Sequence, residues 1–132
     1  MQNSVRTVVS LTVNIVKILD LLVVELKKKT SYKVNKSKLI RVSILYLSSY
    51  EEDKLKKVLV DFKQISKWQT NKLAIKEVTV TLNKKCYYLL ELMSKIDVGY
   101  KIYKSGLIRL AIIRFSEEEN FEDIFLNLVE EL

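Results

Sequence analysis

The stretch YKVNKSKLIRVSILYL, Tyr32 to Leu47, decides how the rest of the chain is read, because it returns as YKIYKSGLIRLAIIRF, Tyr100 to Phe115. Aligned without gaps, 8 of the 16 positions are identical: Tyr32/Tyr100, Lys33/Lys101, Lys36/Lys104, Ser37/Ser105, Leu39/Leu107, Ile40/Ile108, Arg41/Arg109 and Ile44/Ile112. Most of the others are similar apolar pairs. The likeness extends upstream, where VSLTVN (Val9 to Asn14) matches VTVTLN (Val78 to Asn83), with one residue fewer in the second copy before the basic stretch. Repetition of this kind marks two copies of one supersecondary unit.

The unit can be read element by element. Val8 to Val13 and Glu77 to Leu82 are short and β-rich, with a period of two. Val9, Leu11 and Val13 share one face and Ser10 and Thr12 the other; Val78, Val80 and Leu82 oppose Glu77, Thr79 and Thr81. Asn14 and Asn83 follow as N-cap candidates. The segments 15–29 and 84–96 then have helical length and apolar spacing, and Gly99 stands where an αL cap ends a helix. The second helix of each copy is the repeat itself, with Leu39, Ile40, Ile44 and Leu47, or Leu107, Ile108, Ile112 and Phe115, laid as one apolar stripe. Asn35 can cap the first of these helices; Tyr103, at the same place in the second, cannot. Ser49-x-x-Glu52 and Ser116-x-x-Glu119 read as capping boxes opening a further helix after each copy. Lys67 to Lys72 reads as the linker. The expected organisation is therefore residues 1–47 (first copy), 48–73 (connecting helix and linker), 74–115 (second copy) and 116–132 (acidic amphipathic helix). The expected fold class is α+β and mostly helical.

Composition narrows the function. A chain of 132 residues with 48% apolar content has ample material for one core. The absence of Pro and the presence of only two Gly favour long helices over an all-β fold. There is no His, and Cys86 is the single cysteine, so the usual general base, an intramolecular disulfide and a cysteine–histidine metal site are all excluded. No glycine-rich phosphate loop or paired-carboxylate motif stands out, and an enzyme is not expected. Neither a cofactor nor a metal is expected. No secretory leader is recognisable and the apolar run Ile18 to Val24 is too short to span a bilayer, so the expected location is intracellular: cytoplasmic and nucleoid-associated, with no membrane partner.

The net charge of +7 conceals a division. Residues 1–116 carry 23 basic and 9 acidic side chains, whereas 117–132 carry 7 acidic and no basic ones. A basic body suits a polyanionic partner.

Strand, helix, short basic turn and helix, twice over, resembles the ribbon-helix-helix family of DNA-binding proteins, the Arc/MetJ type. The resemblance rests on VSLTVN and EVTVTLN, each followed by a helix, and on NKSKLIR and YKSGLIR. It covers Val8 to Leu47 and Glu77 to Phe115, about 60% of the chain. The usual member has one copy and dimerises; two copies in one chain look like the tandem variant of some plasmid-transfer proteins and archaeal viral regulators. The resemblance implies that the two strands form an antiparallel ribbon entering the major groove of double-stranded DNA. Base contacts are then expected from Ser10, Thr12, Glu77, Thr79 and Thr81. Phosphate contacts are expected at the start of the repeated helix, from Lys36, Ser37, Lys104 and Ser105, with Lys33 and Lys101 just before and Arg6 and Lys76 flanking the strands. Arg41 and Arg109 lie well inside the helix and are expected in intramolecular or surface ion pairs.

The function implied is a sequence-preferring transcriptional regulator. An architectural protein coating DNA with little sequence preference, or a helical interaction module of the antitoxin kind, are the readings it competes with. The copies are unequal, nine basic and two acidic residues over 1–47 against seven and three over 77–116, so an operator with related but non-identical half-sites is expected. The apolar surplus of the helix 15–26 and the acidic tail are expected to support self-association, unless the tail simply docks on the core.

Overall fold

A computed structural model describes residues 4–69 and 75–131 of the chain, with side chains over 5–62 and 76–131. In chain order the elements are β1 (Ser4–Thr12), α1 (Val13–Lys29), α2 (Lys36–Ser48), α3 (Glu52–Gln69), β2 (Ile75–Asn83), α4 (Lys84–Ser94), α5 (Lys104–Ser116) and α6 (Phe121–Leu128), closed by a 3-10 turn over Val129–Glu131. The protein is α+β and mostly helical, as its composition suggests.

The helix starts follow from local hydrogen bonding. Asn83 accepts from the Cys86 amide at 2.9 Å and opens α4; Asn35 accepts from the Lys38 amide at 2.8 Å and opens α2. Tyr103 precedes α5 and makes no capping bond. The start of α1 differs from expectation. Thr12, not Asn14, is the cap, its Oγ1 accepting from the Ile15 amide at 3.3 Å. Strand β1 therefore begins earlier and ends sooner than its alternation suggests, and Val13 is helical. The two capping boxes also fail. Ser49 ends α2, its hydroxyl turned back to the Tyr46 carbonyl, and Ser116 closes α5 by bonding the Ile113 carbonyl. A serine one turn beyond an available carbonyl satisfies itself there instead of capping forward. Gly99 does adopt φ +82°, but five residues beyond the end of α4, in a turn where its amide bonds Asp97. Helix α3 runs on through Gln69, so the first part of the expected linker is helical; residues 70–72 of it lie outside the described residues.

Both strands pair antiparallel within the one chain, from Ser4 opposite Asn83 to Thr12 opposite Ile75. Beneath the ribbon, Val9, Leu11, Val80 and Leu82 are buried against α2 and α5, which also pack on each other. The copies are interlocked. Helix α2 of the first packs on β2 and α4 of the second, while α5 packs on β1 and α1 of the first. The acidic tail docks: Phe125 and Val129 are buried, Phe125 meets Tyr32 edge-on, and Glu130 accepts a hydrogen bond from the Tyr32 hydroxyl at 2.9 Å. Among the described residues no helix is long and apolar enough to cross a membrane.

Buried positions reveal a better alignment of the copies than the sequence offers. Val9 corresponds to Val80, Leu11 to Leu82, the cap Thr12 to the cap Asn83, Ile15 to Cys86, Leu19 to Leu90 and Leu22 to Met93. The strand and first helix of the second copy thus stand 71 positions on, and the repeated helix 68. The second copy is three residues shorter in between, and the expected strand match was two residues out of step.

Because Phe115 is fully buried between the interlocked copies, Phe115→Ala should cost about 3–5 kcal/mol. In urea, far-UV circular dichroism and tyrosine fluorescence should move together in one transition. Two separate transitions would contradict the interlocked core. Burial pushes the Cys86 thiol up to about 11. Folding therefore favours the protonated form: that contribution is whole below the thiol's ordinary pKa and fades as pH rises through about 11. The thiol should resist disulfide reagents at pH 8 until the chain is unfolded in urea.

Candidate nucleic-acid interface

Alternation along the ribbon sends one set of side chains into the core and the other outwards. The outward set is Arg6, Val8 and Ser10 of β1, paired respectively with Thr81, Thr79 and Glu77 of β2. Arg6, Val8, Glu77 and Thr79 are exposed, while Ser10 and Thr81 are half-buried. Ser10, Glu77, Thr79 and Thr81 thus lie together on one surface, as the sequence reading requires. Arg6 belongs to that surface as a full member of the strand and does not merely flank it. Lys76 is exposed at the ribbon's end but sits opposite Leu11, on the other parity.

Thr12, expected on the same face, is not part of that surface. Thr12 is only 6% exposed and its hydroxyl is committed to the α1 cap. At the strand–helix junction the backbone turns, and a residue of outward parity is carried inwards. Val8, 58% exposed at the centre of the outer face, is the member that the sequence reading missed. Val8 opens the expected strand two residues before Ser10, so the period of two already places it on this face.

The ribbon is held in place along its outer edges. Backbone groups of a strand that do not face its partner need other acceptors and donors. The Thr81 amide donates to Ser37 Oγ at 3.1 Å, and Arg41 Nη1 donates to the Thr81 carbonyl at 2.7 Å. In the other copy Arg109 Nη1 donates to the Ser10 carbonyl at 3.2 Å. Among the described residues Arg41 and Arg109 make no ion pair, contrary to expectation. They are half-buried struts, each reaching from the repeated helix to the strand of the other copy. Desolvation lowers the pKa of both, but an arginine of this kind remains charged. The equivalence is close: Ser10 and Thr81 are 71 positions apart and the arginines 68.

The starts of α2 and α5 flank the ribbon. Lys36 pairs with Asp20 at 3.2 Å, and Lys104 pairs with Glu91 at the corresponding place. The hydrogen bond from Lys104 holds the Glu91 carboxyl below the usual range. Lys36 and Lys104 remain some 40% exposed, so these are surface pairs that a stronger anion can displace. Ser37 is occupied by the strand; Ser105 borders a cleft of about 90 Å³ beside Thr7, Val8 and Val9. Lys33 and Lys101 are exposed, and Lys101 lies over the Tyr103 ring, 5.2 Å from its centroid. Among the described residues no group of His, Cys, Asp or Glu can hold a metal ion.

Comparison of the chain with protein-family models, with curated proteins and with solved structures finds no match.

Arg41→Met should leave the Thr81 carbonyl without its partner and cost about 1–3 kcal/mol in urea unfolding. Arg109→Met should act in the same direction and more weakly, since its bond is the longer one. If neither variant changes the unfolding midpoint, something other than these arginines holds the strand edges.

Proposed function

We propose that this chain is a double-stranded DNA-binding protein of the ribbon-helix-helix type, with both copies in one polypeptide, acting as a sequence-preferring transcriptional regulator. The observation that carries this reading is the outer face of the ribbon. Six side chains from two paired strands project to one side, and the helix starts that bracket them each present a displaceable lysine. A two-stranded ribbon has the width to enter the major groove, about 12 Å across. Ser10, Thr79 and Thr81 offer hydroxyls to base edges, Arg6 suits guanine, and Val8 and the threonine methyls suit the methyl group of thymine. Lys33, Lys36, Lys101 and Lys104, with the amides at the starts of α2 and α5, serve the phosphates on either side. The 23 basic residues of the chain all lie outside the acidic tail, and that tail is folded against the core. Self-association on adjacent sites belongs to the same reading. Leu21 and Leu92, 67% and 48% exposed, occupy equivalent places on α1 and α4 and supply apolar surface for it.

Fluorescence anisotropy tests the reading with the duplex upstream of the chain's own gene and a scrambled duplex, each at several salt concentrations. The natural duplex should bind more tightly, and affinity for both should fall steeply with salt. An Arg6/Ser10/Thr79/Thr81→Ala variant should lose the preference for the natural sequence. Thr12→Ala should weaken folding by about 1 kcal/mol through its cap, and leave that preference intact. Equal binding of both duplexes, unaltered in the quadruple variant, would mark the protein as a nonspecific DNA coat; no binding of either would leave a protein-interaction module.

A further inference from the structure

Two copies in one chain are free to diverge, and the outer face of the ribbon has done so at one position in particular. The equivalence established by the caps, the strut arginines and the paired lysines relates Val8 to Thr79, Ser10 to Thr81 and Arg6 to Glu77. The last of these reverses charge. Arg6 lies opposite Thr81 at one end of the outer face, and Glu77 lies opposite Ser10 at the other. Among the described residues neither Arg6 nor Glu77 is in an ion pair, and both are exposed. The helices continuing from the ribbon reinforce the difference. At the Arg6 end α4 opens with Lys84 and Lys85, of which Lys85 is paired with Glu131 at 3.5 Å. At the Glu77 end α1 opens with Val13 and Asn14.

We propose that this polarity makes the protein a directional reader of DNA: Arg6 requires a guanine at one end of the site, and Glu77 requires a cytosine at the equivalent position of the other end, so the two half-sites cannot be identical and the chain sits in one orientation. The inference rests on the DNA-binding reading given above. Arginine is suited to the O6 and N7 acceptors of guanine, and a carboxylate accepts from the cytosine amino group while meeting only repulsion from guanine acceptors. Two arginines at equivalent places would select guanine on opposite strands, which is a palindromic requirement. One arginine and one glutamate break it. The two side chains stand four residues apart along the ribbon, roughly 13 Å, which is close to four base-pair steps of about 3.4 Å. A symmetric dimer of single copies cannot make this distinction.

The test is selection from a duplex library with a randomised centre, followed by anisotropy on the selected duplexes. Three proteins are compared: the wild type, Glu77→Arg, and the exchange Arg6→Glu with Glu77→Arg. All the substituted side chains are exposed, so folding is retained. The wild type should select a sequence that is not its own reverse complement, with a G·C pair at each of these two positions and both guanines on the same strand. Replacing the guanine that Arg6 reads should lower its affinity roughly tenfold or more, the discrimination expected of one bidentate base contact. Glu77→Arg should select one guanine on each strand, giving a palindrome at these positions. The exchange variant should select the same two G·C pairs with their strands reversed relative to the bases that Val8, Ser10, Thr79 and Thr81 read. A palindromic wild-type consensus, or a consensus unmoved by Glu77→Arg, would overturn the directional inference and leave DNA reading standing. Failure of the wild type to enrich any sequence would overturn both.

Discussion

Everything in this structure depends on the pairing of β1 with β2 and on what closes the ribbon's two outer edges. A nine-residue strand alone exposes two rows of backbone polar groups. Pairing satisfies one row on each strand, but it leaves the others open. Here each open row is tied to the other copy at one point: Ser37 and Arg41 from the first copy's α2 bond Thr81 of the second, and Arg109 from the second copy's α5 bonds Ser10 of the first. Each repeated helix therefore has to lie across the strand of the other copy. That crossing presses α2 and α5 together and makes one core from two units, each too small to be stable alone. The ribbon's outer face is left as a platform held from below and from both sides.

Such a platform suits recognition. Side chains on a tethered ribbon keep their spacing, and little order has to be imposed on binding. The struts are charged but are engaged with backbone carbonyls, which leaves the outer side chains to face a ligand. The lysines at the helix starts are differently placed. Their partners Asp20 and Glu91 sit at equivalent positions, so each half of the platform is flanked by a cation held near the surface in a weak pair.

Much of this was legible in the residues, and the misses have identifiable causes. The repeat at Tyr32 and Tyr100 announced two units, and Asn35 and Asn83 announced two helix starts, because an asparagine ahead of an apolar stripe has one favourable use. Thr12 and Asn14 compete for the same helix start, and the register of Val9 and Leu11 against the core decided between them. That choice shifted the strand alignment by two and removed Thr12 from the outer face. Val8 escaped although parity with Ser10 placed it on the outer face, since only the hydroxyl-bearing and charged members of that face were read as base contacts. The roles of Arg41 and Arg109 needed tertiary structure, since identity in both copies says that a side chain matters without saying what it reaches. Ser49 and Ser116 satisfied the pattern of a capping box but found nearer acceptors in their own helices. The correspondence of Arg6 with Glu77 could not be seen until the buried positions corrected the alignment.

The most direct measurement of the central claim is a ¹H–¹⁵N correlation spectrum of the labelled protein titrated with a selected duplex. The account predicts that the largest shifts fall on residues 5–11 and 76–82 and on the first turns of α2 and α5, with α6 and the buried face of the sheet little affected. Shifts concentrated on α3 or α6, with the ribbon amides unmoved, would contradict it.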